Sequence, residues 1–174
     1  SINVTSGNAT YVIMLPNAGS VATPIALTYN TVNRAASEFG HGWQRNMNSR
    51  GVGGASGVVT LTTGVGANYR YSDKDASNQY RPPAGVDSAF LSNNDGTWTE
   101  KRPDGGRWEY DTNGRSSTVQ TPSGSIHTVT RDGGARISTI KDPVGRICTF
   151  TYDGSNKLQQ ITDCHGRNTA FVVD

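Results

Sequence analysis

The chain has 174 residues, 16 Lys or Arg against 14 Asp or Glu, a formal net charge of +2 and a pI near 8.6. The cations are scattered among acids, which argues against a nucleic-acid stripe, and no apolar run is long enough for a membrane-spanning helix. Leu, Ile, Val and Phe together make up less than about a fifth of the residues, close to disordered compositions, but near-neutral charge and an abundance of Gly, Ser, Thr and Asn point instead to many short strands and turns.

In chain order, Thr10 to Leu15 and Ile25 to Tyr29 read as strands around a loop at Pro16 to Ser20. Phe39-Gly40-His41-Gly42-Trp43 is a glycine-interrupted aromatic knot, and Val58 to Thr62 and Asn68 to Ser72 read as a hairpin across Thr63-Gly64-Val65-Gly66. Gln79 to Gly85 is expected to be an extended loop, after which Phe90-Leu91 and Thr97 to Lys101 lead into the second half. The expected division is a β-rich entry region over residues 1–95 and a repeat region over residues 96–174.

The repeat region keeps a 21-residue period in several columns at once. Asp111, Asp132, Asp153 and Asp174 form one column; Trp108, Val129, Phe150 and Phe171 form an apolar one. Val119, Ile140 and Ile161 recur at the same interval, as do Arg115, Arg136 and Lys157. Such a period marks a stacked repeat. Each unit reads as two strands: Arg146 to Tyr152 alternates β-branched and aromatic residues, Asp153-Gly154 turns, and Lys157 to Ile161 returns. Asp-Gly and Asn-Gly steps at residues 95, 104, 113, 132 and 153 predict tight hairpins through positive φ, with Pro122 and Pro143 at the opposite turns. The predicted fold is all-β, a continuous antiparallel meander of hairpins. Trp108, Val129, Phe150 and Phe171, with Tyr110 and Tyr152, share one face; Glu109, Thr130 and Thr151 share the other. The return strand is ambiguous, since Val119, Ile140 and Ile161 oppose Ile137 and Leu158 in parity.

Several segments carry a resemblance. Leu27-Thr28-Tyr29-Asn30, Phe39 to Trp43, Val59-Thr60-Leu61, Pro82-Pro83-Ala84-Gly85 and Asp95-Gly96-Thr97-Trp98, in that order, resemble the entry region of RHS/YD-repeat proteins. Arg102 to Arg115 is similar to their first repeat, and Gly145 to Asp153, ending in Tyr152-Asp153, to the defining YD repeat. Tyr110-Asp111 is the other intact YD pair, whereas Arg131-Asp132 and Val173-Asp174 lack the tyrosine. The resemblance implies a β-ribbon spiralling into a hollow shell, which encloses a C-terminal effector in bacterial polymorphic toxins and toxin-complex proteins and belongs to an adhesive extracellular region in teneurins. The family's terminal core and self-cleaving aspartyl site have no counterpart here, so the chain reads as an excised stretch of wall. Its partners would then be the rest of the shell and an enclosed C-terminal domain, in a secreted or cell-surface setting, with self-association through exposed strand edges as a further expectation.

Candidate chemistry is sparse. His41, His127 and His165 lack a motif supplying a Ser or Asp partner, so no catalytic residue is assigned. The aspartates at 111, 132, 153 and 174 could be imagined as a calcium ladder, but strand-end aspartates cap turns through their own side chains, and no metal or cofactor is expected. Trp43, Tyr80, Trp98 and Trp108 are the alternative: a platform for glycans or cell-surface ligands, with Trp43 and Tyr80 least constrained by the repeat. The plainer reading packs Trp98 against Trp108 and uses Trp43 to close the N-terminal end. Cys148 is expected to face Ile161, leaving Cys164 about three residues out of register for a disulfide.

Overall fold

The computed structural model describes residues 2–3, 8–15, 25–32, 36–53 and 57–173. The loop expected at Pro16 to Ser20 and the last repeat aspartate, Asp174, lie outside them. The described chain is all-β and antiparallel. Strands β1 (Ile2–Asn3), β2 (Asn8–Met14), β3 (Ala26–Asn30) and β4 (Trp43–Arg45) form a four-stranded sheet in sequence order. Strands β5 (Arg50–Gly53), β6 (Val59–Thr62) and β7 (Asn68–Tyr71) form a three-stranded sheet.

Ten further strands pair in strict sequence order in one open sheet. They are β8 (Gln79–Tyr80), β9 (Ala89–Ser92), β10 (Trp98–Lys101), β11 (Arg107–Tyr110), β12 (Ser116–Gln120), β13 (Ile126–Arg131), β14 (Ile137–Lys141), β15 (Ile147–Tyr152), β16 (Leu158–Thr162) and β17 (Asn168–Ala170). The segment expected to be an extended loop at Gln79 thus supplies the first strand of the meander, because Gln79 and Tyr80 pair with Leu91 and Phe90.

The turns follow one design. At Asp132 the backbone N–H of Ala135 donates to the Asp132 carbonyl, and the Asp132 N–H to the Arg136 carbonyl. The fourth turn residue carries positive φ: Gly114, Gly124, Ala135, Gly145, Asn156 and Gly166 in successive hairpins. This is a type I turn followed by a left-handed residue that closes the pair as a bulge. The hairpins expected at Asp132-Gly133 and Asp153-Gly154 form, but the positive φ expected within those steps falls on Ala135 and Asn156. The residue opening each turn fastens it. Asp132 Oδ1 accepts from the N–H groups of Gly134 and Arg136, Asp142 Oδ1 from Val144 and Arg146, and Asp163 Oδ1 from His165 and Arg167.

A second correction concerns the return strands. Their parity conflict is resolved by a bulge: Glu109 pairs with Thr118 but Tyr110 with Ser116, and Thr151 pairs with Gln160 but Tyr152 with Leu158. The extra residue, Ser117 or Gln159, flips the alternation. Leu158 and Ile161 are therefore both buried, as are Ile137 and Ile140.

Direct pairing runs Trp108 to Val119 to His127, and again Phe150 to Ile161 to Thr169. The repeat-equivalent residues Val129 and Phe171 stand two positions beyond His127 and Thr169. The 21-residue columns thus share a face on alternate strands with a constant stagger, rather than lining up directly. Trp108, Val129 and Phe150 are buried; Phe171 lies just past β17 and is half-buried, its N–H donating to the Gln159 carbonyl.

The chain forms two compact units that cut across the boundary expected at residue 95: one of Ser1–Asn46, Gly64–Gly66 and Val129–Asp174, the other of Met47–Thr63 and Ala67–Thr128. In the first, the segment before β4 docks on the repeats: the Leu158 N–H donates to the Glu38 carbonyl at 2.8 Å and the Arg45 guanidinium lies 4.6 Å from the Phe150 ring centre. In the second, the Gly51 N–H donates to the Gly114 carbonyl at 2.7 Å and Ser116 Oγ to the Met47 carbonyl at 2.6 Å. A Cβ on Gly51 would stand 3.0 Å from the Phe90 ring, so glycine lets β5 cross that ring. In both units, then, early strands cover the apolar face of later ones, burying surface worth roughly 25 cal/mol per Å².

Candidate functional site

The aromatic residues do not converge on an exposed platform. Tyr80, expected to be among the most exposed, is 8% exposed, because its place in β8 turns it onto Phe90 at 6.2 Å. Trp43 is half-buried against Tyr29, with ring centres 5.4 Å apart. Trp98 and Trp108 are not opposite each other: Trp98 pairs with Tyr110, and Trp108 with Glu100. Trp108 is buried beneath Arg102, whose guanidinium lies 4.5 Å from the ring centre, and Trp98 keeps a half-exposed edge.

The most concentrated polar chemistry in the second unit is at Glu100, which the sequence reading passed over. Its carboxylate is buried on β10, accepts from the Tyr110 hydroxyl at 2.8 Å, and takes the Arg102 Nε at 3.2 Å and Nη2 at 3.3 Å. Tyr110, of the first YD pair, is buried, and its hydroxyl pKa is pushed well up by burial first and then by the Glu100 charge. Beside it, the Tyr71 hydroxyl and Ser88 Oγ share a hydrogen bond of 2.5 Å. Period-two alternation from Trp98 was the available signal for an inward carboxylate at position 100. The cluster satisfies itself, as a buried carboxylate must.

In the first unit a cleft of about 460 Å³ is lined by Ala36, Ser37 and Glu38 on one side and by the turns holding Gly134, Arg136, Asn156 and Lys157 on the other. Its cations are engaged. Arg136 bonds Asp132 Oδ2 through Nε at 2.8 Å and Asn156 Oδ1 through Nη1 at 2.6 Å, and covers the Tyr152 ring at 4.5 Å. Lys157 Nζ donates to the Ser37 carbonyl at 3.3 Å. Tyr152, of the second YD pair, donates its hydroxyl to the Ile137 carbonyl at 2.7 Å; burial, then the nearby Glu38, raise its pKa. Such a lining can bind a polar molecule by hydrogen bonds, and its Ser37 hydroxyl is already directed at the Gly40 and Trp43 carbonyls.

The remaining repeat aspartates act at turns. Asp111 Oδ1 accepts from the N–H groups of Asn113 and Arg115, and Asp153 Oδ1 from those of Ser155 and Lys157. At Asp132, burial works against ionisation, but hydrogen bonds and charge from Arg136 outweigh it and hold the carboxyl below its usual range. Asp142 and Asp163, on the opposite turns, are shifted the same way against the same opposing burial by Arg146 and Arg167. Among the described residues no group of three or more His, Cys, Asp or Glu is placed to hold a metal ion.

His41 and His165 are exposed in turns, and His127 is buried on β13 opposite Val119. Cys148 and Cys164 are free thiols. Cys148 pairs with Ile140 on β14, and Phe150 is the residue facing Ile161, which corrects the register expected for Cys148 by two residues. Burial pushes the Cys148 thiol pKa up, which makes it a poor nucleophile.

One buried cation stands apart. Arg45 is fully buried on β4, and among the described residues no hydrogen-bond acceptor reaches its Nε, Nη1 or Nη2. Burial lowers its pKa to about 10, with Tyr152 and Glu38 acting in the other direction.

Compared with known proteins, the chain matches no family model and no curated protein.

Proposed function

We propose that this chain is a structural segment of an RHS/YD-repeat shell, a length of β-wall that encloses a cargo domain or holds a surface protein extended. The observation that carries the reading is the constant stagger of the 21-residue columns: direct pairing advances 19 residues from Trp108 to His127 and from Phe150 to Thr169, two short of the repeat. A steady register shift of this kind makes a twisted sheet coil instead of stacking flat. The self-satisfied polar clusters support a scaffold as well, since Glu100 and Arg136 spend their hydrogen bonds within the protein. On this reading the partners are further turns of the same ribbon and the domain it surrounds, in a secreted or cell-surface protein. The burial of Tyr80 and Trp108 weighs against the glycan platform.

The test is cryo-electron microscopy of the complete polypeptide that carries this segment. A hollow β-shell whose wall contains residues 96–174 is the expected result. A compact domain with both faces of the ten-stranded sheet packed by helices would overturn the proposal.

A further inference from the structure

Strand edges differ sharply in what they offer a partner. At the ends of the ten-stranded sheet, β17 is three residues of Asn168-Thr169-Ala170 and β8 is Gln79-Tyr80. Strand β2 is different. Tyr11, Val12, Ile13 and Met14 are 64%, 50%, 38% and 62% exposed, four successive apolar side chains covering both faces of one strand. Monomeric proteins usually blunt such an edge with charge or proline, yet Asn8 to Leu15 contains neither.

The backbone of this strand is half used. On one side β2 pairs with β3 from Thr10↔Asn30 to Met14↔Ala26. The bonds Thr31 N–H to Ala9 carbonyl and Leu15 N–H to Ile25 carbonyl fix the alternation. Residues 9, 11, 13 and 15 therefore direct their N–H and C=O groups at β3, and Val12 and Met14 direct theirs to the other side. On that side β1 reaches only Asn8 and Ala9.

We propose that a second copy of this chain docks here, β2 against β2 in antiparallel register about a two-fold axis at Ile13. In that register Val12 pairs with the other copy's Met14 and Met14 with its Val12, so every donor and acceptor left outward by those two residues meets its complement in four hydrogen bonds. Ile13 faces its own counterpart across a non-hydrogen-bonded pair, and Val12 packs on Met14 on the opposite face. The strand is uncharged, so two copies approach without like-charge repulsion. The pairing closes on itself and consumes the exposed edge. A foreign strand would need a matching apolar sequence to do what the edge does for itself. The inference does not depend on the shell reading.

The experiment is sedimentation equilibrium of the wild type, Ile13→Lys and Ile13→Cys, from low to high micromolar concentration. The wild type is expected to form dimers, and Ile13→Lys, with its fold checked by circular dichroism, to weaken self-association by about tenfold or more. Because a non-hydrogen-bonded pair brings Cα atoms to about 4.5 Å, Ile13→Cys is expected to form a disulfide-linked dimer under mild oxidation. Val12→Cys, which faces Met14, should cross-link far more slowly, and the wild type, with its own Cys148 and Cys164, is the control. A wild type that stays monomeric, a dimer indifferent to Ile13→Lys, or faster cross-linking through Val12→Cys would each overturn the proposal.

Discussion

Replacing Arg45 with methionine is expected to stabilise the protein, although it removes a fully buried charged side chain. Among the described residues Arg45 has no hydrogen-bond acceptor on Nε, Nη1 or Nη2, and it lies over Phe150. The fall of its pKa to about 10, with burial as the leading cause, corresponds at roughly 1.4 kcal/mol per tenfold change in proton affinity to about 3 kcal/mol set against the charged form. Methionine fills a similar volume, keeps a favourable contact with the Phe150 ring and carries no charge into the interior. The lost cation–π contact is worth about 0.5–2 kcal/mol, so the net gain is roughly 1–2 kcal/mol. For a domain of this size that raises Tm by about 2–8 °C. Differential scanning calorimetry at pH 7, with Arg45→Lys as a second variant that keeps the charge, measures it. The sign of the linkage is the same: a cation whose folded pKa is depressed weighs against folding below that pKa, and the penalty fades as pH rises above about 10. A clear loss of stability in Arg45→Met would refute the reasoning and mean that the guanidinium has acceptors which offset its burial.

Further expectations follow from the turns. A Cβ on Gly114 would collide with the Gly51 carbonyl at a φ of +72, so Gly114→Ala should destabilise by about 2–4 kcal/mol in urea unfolding. Ala135 holds a φ of +65 without being glycine; Ala135→Gly should stabilise by about 0.5–1 kcal/mol, the left-handed strain outweighing the added chain entropy, with Gly145→Ala changing in the opposite direction. Asp132, Asp142 and Asp163 have depressed pKa values, so their contribution is full above the unfolded aspartate pKa of about 3.9 and is lost as pH falls through the folded values. Thermal melts from neutral to acidic pH should therefore drop steeply at the acid end for the wild type and less so for Asp142→Asn, which starts from a lower plateau.

Much of the meander was legible because its signals are redundant. The 21-residue period, the alternation in Arg146 to Tyr152 and the turn-forming aspartates all imply paired strands. What escaped was anything set by a single inserted residue. Ser117 and Gln159 are bulge residues with no sequence mark, yet they turn Ser116 and Leu158 inward beside Val119 and Ile161. Counting Asp-Gly steps located the hairpins but put the left-handed residue within Asp132-Gly133 and Asp153-Gly154, whereas the three-residue loop puts it later, at Ala135 and Asn156. The opposite turns at Asp142 and Asp163 repeat the same fastening by the opening aspartate, with Pro143 and Cys164 in the position after it. The site was harder still. Arg45 takes its environment from a strand more than a hundred residues away, where it lies over Phe150, and no local pattern reports that.

The account rests on successive 21-residue units being equivalent pairs of neighbouring strands. Thr118↔Thr128, Thr139↔Thr149 and Gln160↔Ala170 are directly opposed pairs at the same place in three consecutive repeats, each outside the narrow hydrogen-bonded ring. Nuclear Overhauser spectroscopy should give a strong Hα–Hα contact for each of the three. Their absence, or contacts displaced by one residue in any repeat, would contradict the periodic register from which the wall reading is built.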